Sequence, residues 1–519
     1  MKKLKSIFIL LFFFLAIGNS FAQLTSSEVD ALVENALKEF NVAGTAVAIV
    51  KDGKIIHQKG YGVTSIDTKK LVNEHTNFAI ASNSKAFTTT ALAILVEEGK
   101  LSWDDKVIQH IPEFKMYNAY VTENFNIIDL LTHRSGLSLG MGDLMLFPDG
   151  ADFTIDDVLK NFQYFEPVSA FRTKWDYDNL LYLVAGELVG RVSGVSWEQF
   201  VQNRIFIPLG MDNSYSSMDQ VSNFSNFAEP HTTETGPMRT TAHFEEMING
   251  AAGGILSNVN DISEWMLVQL NKGNYGDDLE NQLFTEASQH EMWKLHTLLD
   301  VNRNPRYNSH FSGYGLGWGL TDLNGNLSVS HTGGLPGMLS RTVLIPDLNL
   351  GVVVLTNTSN GGAGVFNAVS RSIVDSYLGL DDYEWTKKFS AYYSQKESEG
   401  DAVTKEVWET VAKAKNKKIN SEDYLGVYKD AWFGKITISM KDNQLWFTSH
   451  RSPKLNGPMA YYKANSFAIK WEFQDMNGDA FAMFALDEEG KAQSIKMKGI
   501  SPNIDFSFDF QDLDLQRVE

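Results

Sequence analysis

The sequence predicts an α+β domain, with an antiparallel sheet flanked by helices and a helical subdomain, followed by a small all-β barrel. Three observations support this fold class. β-Hairpin patterns lie at both ends of a long, mainly helical region, a charged stretch follows, and short alternating apolar runs complete the chain. At about 100–200 residues per domain, a chain of 519 residues has room for two or three such units.

The two hairpin patterns define the predicted sheet. Thr45–Val50 and Ile55–His57 are apolar runs on either side of Asp52-Gly53, a dipeptide that favours tight two-residue turns. A second strand pair is predicted at Arg341–Ile345 and Gly351–Thr356. Because the pairs lie at opposite ends of this region, we expect one antiparallel sheet formed by both termini of a domain at residues 23–380.

Helical patterns occupy the region between the hairpins. The clearest are Ala86–Glu98, Ile127–Leu131 and Leu180–Val189. We therefore expect a helical insertion between the two halves of the sheet.

The C-terminal part begins with a charged linker at residues 381–418. Val407, Trp408 and Val411 have roughly helical spacing there, so a weakly docked helix is an alternative to a loose tether. Residues 419–519 then alternate between apolar and polar positions, with Gly, Asn and Asp between the runs, which predicts a small barrel. The predicted strands are Lys435–Met440, Gln444–Ser449, Ser466–Trp471, Ala480–Leu486, Ala492–Met497 and Ile504–Phe510.

Residues 1–22 have the pattern of a secretory signal. Three lysines precede an apolar run at Ile7–Ile17, and Ser20-Phe21-Ala22 supplies small residues for cleavage. The alternative, a membrane anchor, is disfavoured because the run is shorter than the roughly 20 residues that span a bilayer. We expect cleavage after Ala22, no membrane span after cleavage, and a periplasmic or secreted protein.

Composition excludes several function classes. The formal net charge is −19, so nucleic acid is an unfavourable partner. The chain has no cysteine, which rules out thiolate nucleophiles, zinc-thiolate and iron–sulfur centres and disulfides. No metal site or cofactor is predicted, since His290-Glu291 is followed at position 294 by lysine and lacks the second histidine of a zincin motif.

Ser82-Asn83-Ser84-Lys85 is an S-x-x-K motif at the start of a helical pattern. One helical turn would place Lys85 on the same face as Ser82. A desolvated lysine is a base that can take the serine proton, and the helix N-terminus favours an oxyanion. The simpler alternative is that Ser82 only caps the helix.

Two further motifs follow along the chain. Tyr177-Asp178-Asn179 offers a phenol that can share a proton with a lysine and an amide that can bind a carbonyl. His331-Thr332-Gly333-Gly334 precedes the second strand pair, where glycines let a substrate approach and an N–H can complete an oxyanion hole. Taken singly, these motifs are turns and ordinary core or surface residues.

The order S-x-x-K, Y-x-N, H-x-G resembles the serine β-lactamase and penicillin-binding protein superfamily, in the branch of class C β-lactamases, D-aminopeptidases and β-lactamase-like esterases. The resemblance covers roughly residues 25–380. Other blocks similar to that family are Phe78–Ser82, Glu97–Leu101, Leu130–Leu137, Ile207–Met211 and Tyr314–Trp318.

The resemblance implies a role for each motif. Ser82 is the acylated nucleophile, Lys85 its base partner and Tyr177 the proton carrier, while Asn179 anchors the substrate and the lysine. The oxyanion hole is formed by the backbone N–H groups of Ser82 and Gly334. His331 and Gly333 belong to the third motif, but His331 stands where β-lactamases and DD-peptidases usually carry a lysine that helps bind the substrate carboxylate.

This departure favours D-aminopeptidase- or esterase-like use, because a largely neutral histidine supplies less positive charge. We expect an exported serine hydrolase that acts on amide or ester bonds of a small molecule or short peptide. The alternatives are β-lactamase or DD-peptidase activity, a penicillin-recognising protein without turnover, and a cell-wall protein with a dead site. A homo-oligomer is left open.

Two further patterns concern an alternative nucleophile and the C-terminal barrel. Gly136–Gly140 matches the G-x-S-x-G nucleophile elbow, but the preceding helical pattern disfavours Ser138 as a nucleophile. Leu425–Tyr428 and Phe433–Ile436 give residues 419–519 a resemblance to the lipocalin-like barrel often fused behind this hydrolase branch. A role for that barrel in narrowing access to Ser82 or in oligomer contacts is a hypothesis.

Overall fold

The computed structural model describes residues 23–234, 236–245, 248–301 and 303–518. The predicted signal at residues 1–22 lies outside the described residues. Within those ranges, no helix combines the length and apolar character needed to cross a bilayer.

The helices and strands are numbered in chain order. The helices are α1 (Ser26–Glu39), α2 (Ser84–Glu97), α3 (Val107–His110), α4 (Ala119–Asn124), α5 (Ile127–Leu131), α6 (Ile155–Asn161), α7 (Leu180–Ser193), α8 (Trp197–Val201), α9 (Val259–Leu270), α10 (Glu286–Met292), α11 (Ser359–Tyr377) and α12 (Trp385–Ala414). The strands before α12 are β1 (Gly44–Lys51), β2 (Lys54–Gly62), β3 (Phe78–Ala79), β4 (His231–Thr232), β5 (Arg239–Thr240), β6 (Leu256–Ser257), β7 (Asn274–Tyr275), β8 (Asn281–Gln282), β9 (Thr297–Leu298), β10 (Ser312–Tyr314), β11 (Gly319–Leu323), β12 (Asn326–Leu335), β13 (Met338–Ile345) and β14 (Leu350–Thr356). The strands after it are β15 (Gly426–Asp430), β16 (Gly434–Lys441), β17 (Gln444–Ser449), β18 (Asn456–Lys463), β19 (Ser466–Ile469), β20 (Ala480–Leu486), β21 (Ala492–Gly499) and β22 (Leu515–Arg517).

The large sheet is antiparallel, in the order β2-β1-β14-β13-β12-β11-β10-β9. Both predicted hairpins are present, and Asp52 and Gly53 have φ of 50° and 75°, as a type I′ turn requires. The predicted closure of the sheet by both ends of the domain is confirmed, because β1 pairs with β14 from Thr45 opposite Thr356 onwards.

The sheet lies between two helical layers. Val47 and Val354 pack with α1 and α11 on one face, while Ala48 and Val353 join the core that contains α2 and α9 on the other. Strand β14 is therefore buried on both faces, and its seven residues form an uninterrupted buried run.

Helices α2 and α7 form the centre of the helical layer next to the sheet. Each is buried nearly all round, from Ser84 to Leu95 in α2 and through Leu188 and Val189 in α7. The two helices pack on each other, and Lys85 in the first turn of α2 donates to Asn179 at the start of α7, so the first and second motifs meet there.

The C-terminal strands β15 to β22 form a closed antiparallel barrel, as predicted. Burial alternates along β16, β17 and β20, so alternate side chains fill the barrel interior. The charged stretch before it is the helix α12, and Val407 packs against Ala468 and Ile500 of the barrel region.

One strand prediction is wrong. Ile504–Phe510 is not a strand but part of the β21–β22 connection, which contains turns and a short 3-10 helix at Phe510–Asp512. Asp505 accepts the backbone N–H of Ser507 at 2.9 Å, and such local side-chain bonds compete with strand pairing. The sequence analysis also missed β15, β18 and β22.

Candidate active site

The nucleophile candidate Ser82 lies in a 3-10 turn, Ala81–Asn83, between β3 and α2. Ala81 has φ of 48°, a left-handed conformation that is uncommon for a residue with a Cβ atom. The turn is fixed to the sheet, because Asn83 Nδ2 donates to Ser340 Oγ at 2.8 Å and that hydroxyl donates to the Ile80 carbonyl at 2.6 Å. This arrangement holds Ser82 at the edge of a cavity.

Lys85 lies one turn further on and is fully buried. Its Nζ lies 3.1 Å from Ser82 Oγ, 2.8 Å from Asn179 Oδ1 and 2.8 Å from the Ala252 carbonyl oxygen. Burial lowers the pKa of Lys85 to about 7, against the opposing influence of nearby Asp143. The structure thus brings the first motif and Asn179 together around a lysine that can lose its proton near neutral pH.

Asn179 is held on its other side by an acid. Its Nδ2 donates to Asp143 Oδ2 at 2.8 Å, and the Ser507 hydroxyl donates to the same oxygen at 2.9 Å. Asp143 is completely buried, and this burial raises the pKa of its carboxyl well above the ordinary value. Ser507 belongs to the β21–β22 connection, so the barrel contributes to this cluster.

Tyr177 faces the same serine. Its ring centroid is 4.8 Å from Lys85 Nζ, and its hydroxyl is buried without a hydrogen bond of normal geometry to the described residues. Burial raises the pKa of Tyr177 well above the ordinary value, although the neighbouring Ser82 opposes this. The phenol is therefore protonated at neutral pH.

Aromatic rings surround Tyr177. The His133 ring lies 4.2 Å from the Tyr177 ring, and the Trp175 and Phe506 rings lie 6.0 and 5.9 Å from it. The His133 Nδ1 accepts the backbone N–H of Asp178 at 3.1 Å, which fixes the start of the second motif. Trp175 also lines the cavity.

The third motif lies on β12 at the opposite wall. His331 Nδ1 lies 2.6 Å from the Thr332 carbonyl oxygen and so carries a proton, while Nε2 accepts from the Tyr314 hydroxyl at 2.8 Å. Burial lowers the pKa of His331 to about 3. The histidine is neutral at physiological pH, as expected from the sequence.

The two glycines of the motif have different surroundings, and only those of Gly333 exclude a side chain. A Cβ on Gly333 would lie 2.2 Å from the Ile80 carbonyl oxygen, so no side chain fits between β12 and the nucleophile turn. Gly334 lines the cavity beside Ser82. All seven predicted site residues therefore lie in or directly against one cavity.

The cavity has a volume of about 800 Å³. Its described lining includes no lysine or arginine, but three acids, Glu234, Asp475 and Asp505. Asp475 pairs with Arg239, whereas Asp505 accepts a backbone N–H of its own turn. The described lining of the cavity is therefore acidic.

Sequence reasoning missed Asp143, Ser507, Phe506 and Tyr314 as parts of the site. Tyr314 lies in a block quoted for the family resemblance, but the other three have no local signal. Ser138, disfavoured as a nucleophile, lies in a loop after α5 and donates to Asp512 at 3.1 Å instead. No group of three or more His, Asp or Glu side chains within the described ranges is placed to hold a metal ion.

Comparison with known proteins supports the resemblance to the serine β-lactamase and penicillin-binding protein superfamily. The profile of the Beta-lactamase family matches residues 29–372. The chain belongs to this family. Residues 412–517 match a second profile, a domain of unknown function named DUF3471. The fold and the family thus agree that this is a serine hydrolase of the beta-lactamase family with a C-terminal β-barrel.

Curated relatives of this beta-lactamase-family chain are distant. The unguisins hydrolase ungD of Aspergillus violaceofuscus is 27% identical over 390 residues, covering 70% of this chain and 67% of that protein. Protein flp of Staphylococcus aureus strain MW2 is 26% identical over 347 residues, covering 65% of this chain and 64% of that protein. The chain therefore spans about two thirds of the length of these relatives.

Solved structures share the fold. An octameric penicillin-binding protein homologue from Pyrococcus abyssi has a TM-score of 0.61 at 20% identity, covering 95% of this chain and 100% of that one. A penicillin-binding protein from Bacillus halodurans has a TM-score of 0.55 at 23% identity, covering 65% and 99%. At these identities the likeness concerns the fold alone.

Proposed function

We propose that this protein is an exported hydrolase that acylates Ser82 on amide or ester bonds of small peptides or related compounds, with D-aminopeptidase- or esterase-like specificity. The observation that carries the proposal is the placement of Lys85 Nζ, 3.1 Å from Ser82 Oγ and fully buried. The leader-like sequence at residues 1–22 supports export.

The surroundings of Lys85 favour its action as a base. As a free amine it donates to the Asn179 amide oxygen and the Ala252 carbonyl, and its lone pair then faces Ser82. The proton of the Ser82 hydroxyl passes to that amine as the oxygen attacks the carbonyl carbon, and the leaving group departs with a proton. Water then attacks the acyl-serine ester and releases the acid.

Tyr177 is suited to carry the proton to the leaving group. Its phenol stays protonated because burial raises its pKa well above the ordinary value. It therefore acts as an acid that exchanges protons with Lys85 and the leaving atom, rather than as a tyrosinate base. The role of oxyanion stabilisation falls to the backbone N–H groups of Ser82 and Gly334, as the resemblance implies.

The cavity supports a preference among substrate classes. Without a described lysine or arginine in its lining, and with His331 neutral, the cavity has no cation for a substrate carboxylate. Among the acids of the lining, Asp505 favours a substrate with a protonated amine, and Glu234 adds to this when it is ionised, although burial raises its pKa. Peptides with a free amino group rank first, uncharged esters next and β-lactams, which carry a carboxylate, last.

The test of the proposal is labelling with a fluorophosphonate, measured by intact mass. We expect one label per wild-type chain and none on Ser82→Ala. Labelling that persists in Ser82→Ala contradicts the nucleophile assignment. Hydrolysis of D- and L-aminoacyl amides, short esters and a chromogenic β-lactam then ranks the substrates, and a stoichiometric burst without turnover identifies a penicillin-recognising protein instead.

A further inference from the structure

The β21–β22 connection of the barrel is built into the catalytic cluster. Ser507 donates to Asp143 Oδ2, and Asp509 accepts the backbone N–H groups of Gly142 and Leu144 at 2.7 and 2.9 Å. Asp509 thereby caps the 3-10 turn Asp143–Met145 across the interface between the two units. One segment of the barrel thus fixes both the backbone and the side chain of Asp143.

Asp143 in turn determines how the Asn179 amide is oriented. An amide side chain presents an oxygen on one side and two N–H donors on the other, and only the oxygen can accept from Lys85. Asp143 accepts from Nδ2 at 2.8 Å, which leaves Oδ1 facing Lys85 at 2.8 Å. A flipped amide would turn N–H donors toward an amine that needs acceptors.

We propose that Asp143 and Ser507 are a positioning pair through which the C-terminal barrel orients the Asn179 amide and thereby the catalytic lysine. Neither residue touches the nucleophile, and both act through Asn179. The barrel is therefore a component of the hydrolase machinery and not only a cover over it. This inference rests on the proposed role of Lys85 as the base for Ser82.

Removing the side chain of Asp143 is expected to shift the pKa of Lys85 in one direction. Without an acceptor at position 143 the amide can turn its donors toward Nζ, which disfavours the ammonium, and the loss of Asp143 also removes an influence that raises the pKa of Lys85. The pKa of Lys85 then falls further. The titratable side chains that face Lys85 or Asp143 are Asp178, Asp509, His133, His331, Tyr177 and Tyr182.

The test uses the full chain and an alkyl fluorophosphonate, whose second-order rate constant of labelling is measured from about pH 5 to pH 9. This rate needs no knowledge of the substrate and is measured on the folded fraction alone. For Asp143→Ala we expect a loss of about tenfold at the plateau, the factor associated with one hydrogen bond, and an acid limb moved to lower pH. Asp143→Asn keeps an oxygen acceptor and is expected to restore most of the plateau rate.

The barrel's part is tested with a matched pair of serines. Ser507→Ala removes the hydroxyl that holds Asp143, whereas Ser138→Ala removes a bond of the same kind, to Asp512 at 3.1 Å, at the same interface. We expect slower labelling for Ser507→Ala and the wild-type rate for Ser138→Ala.

Three results overturn the inference: a wild-type pH profile for Asp143→Ala, an Asp143→Asn rate no better than that of Asp143→Ala, or equal rates for the two serine variants. Wild type that is not labelled at Ser82 contradicts the proposed function itself. The two failures are therefore distinguishable.

Discussion

At the scale of single residues, Lys85 has two carbonyl-type acceptors, one hydroxyl and no acid in direct contact. Asn179 and Ala252 supply the acceptors, the Ser82 hydroxyl faces the remaining side of Nζ, and burial supplies the low pKa, about 7. A lysine that formed an ion pair would keep its proton, because a nearby carboxylate favours the charged form. Asp143 instead reaches the lysine through the neutral amide of Asn179.

The pH dependence of acylation separates Lys85 from the other titratable groups of the site. The free amine is the active form, so the rate rises as pH increases through about 7, the pKa of Lys85. For Tyr177→Phe we expect a loss of about 100-fold or more, from a missing proton carrier, with this acid limb unchanged. The measurement is the pH profile of ester hydrolysis.

His331 provides the control for that profile. Its pKa is about 3, so it does not titrate near neutral pH, and His331→Gln is expected to keep the same limb. A limb that disappears in Tyr177→Phe would assign the titration to the tyrosine.

At the scale of elements, the start of α7 combines a helix cap with a buried acid. Asp178 accepts the backbone N–H of Leu181 at 3.3 Å, while its other carboxylate oxygen has no partner among the described residues. Burial raises the pKa of Asp178 from 3.8 to about 7. Ionisation of Asp178 therefore destabilises the folded protein, because the charged carboxylate is buried.

The raised pKa of Asp178 predicts how the stability of the protein changes with pH. The folded pKa of Asp178 lies above the unfolded one, so its contribution is fully present below about pH 4 and is lost as pH rises through about 7. Asp178→Asn keeps an oxygen cap and does not titrate. We expect its melting temperature to match wild type near pH 4 and to exceed it by a few degrees near pH 8, measured by calorimetry.

Asp156→Asn is the control, because Asp156 is an exposed acid in the first turn of α6, whereas Asp178 is a buried acid at the start of α7. A difference between Asp178→Asn and wild type that stays constant with pH would contradict the electrostatic origin of the destabilisation.

The sequence predicts a helix or strand well where its apolar side chains are buried against neighbours in the same structural unit. β1 and α7 are of this kind, since their side chains pack into the core next to their own neighbours. Ile504–Phe510 has the same alternation as a strand, but Phe506 packs on Tyr177 and Asp509 binds backbone N–H groups of the other unit. Alternation shows that a segment is half-buried and does not show what it is buried against.

The residues of the candidate site also fall into a group that the sequence predicts and a group that it does not. Ser82, Lys85, Tyr177 and Asn179 were predictable because each belongs to a motif with fixed spacing. Asp143 was not, because its contacts with Asn179 and Ser507 join segments 36 and 364 residues away and depend on tertiary approach.

At the scale of the whole molecule, the barrel contributes one aromatic ring to the lining of the cavity. Phe506 packs edge-on against Tyr177, with ring centroids 5.9 Å apart, and it lines the cavity. A Cβ on Gly140 would lie 2.7 Å from the Phe506 carbonyl oxygen, so the hydrolase loop and the barrel segment approach as closely as a glycine permits. The cavity that contains Ser82 is therefore lined by both units.

Phe506→Ala is expected to change which acyl chains the site accepts. Removing the ring enlarges the cavity beside Tyr177 and leaves the bonds of Ser507 and Asp509 in place. We expect kcat/KM for p-nitrophenyl octanoate to rise several-fold relative to p-nitrophenyl acetate, because the longer chain gains apolar space. Phe224→Ala, an exposed phenylalanine outside the cavity lining, should keep the wild-type ratio. An unchanged ratio in a folded Phe506→Ala variant would show that the acyl group occupies a part of the cavity that the barrel does not reach.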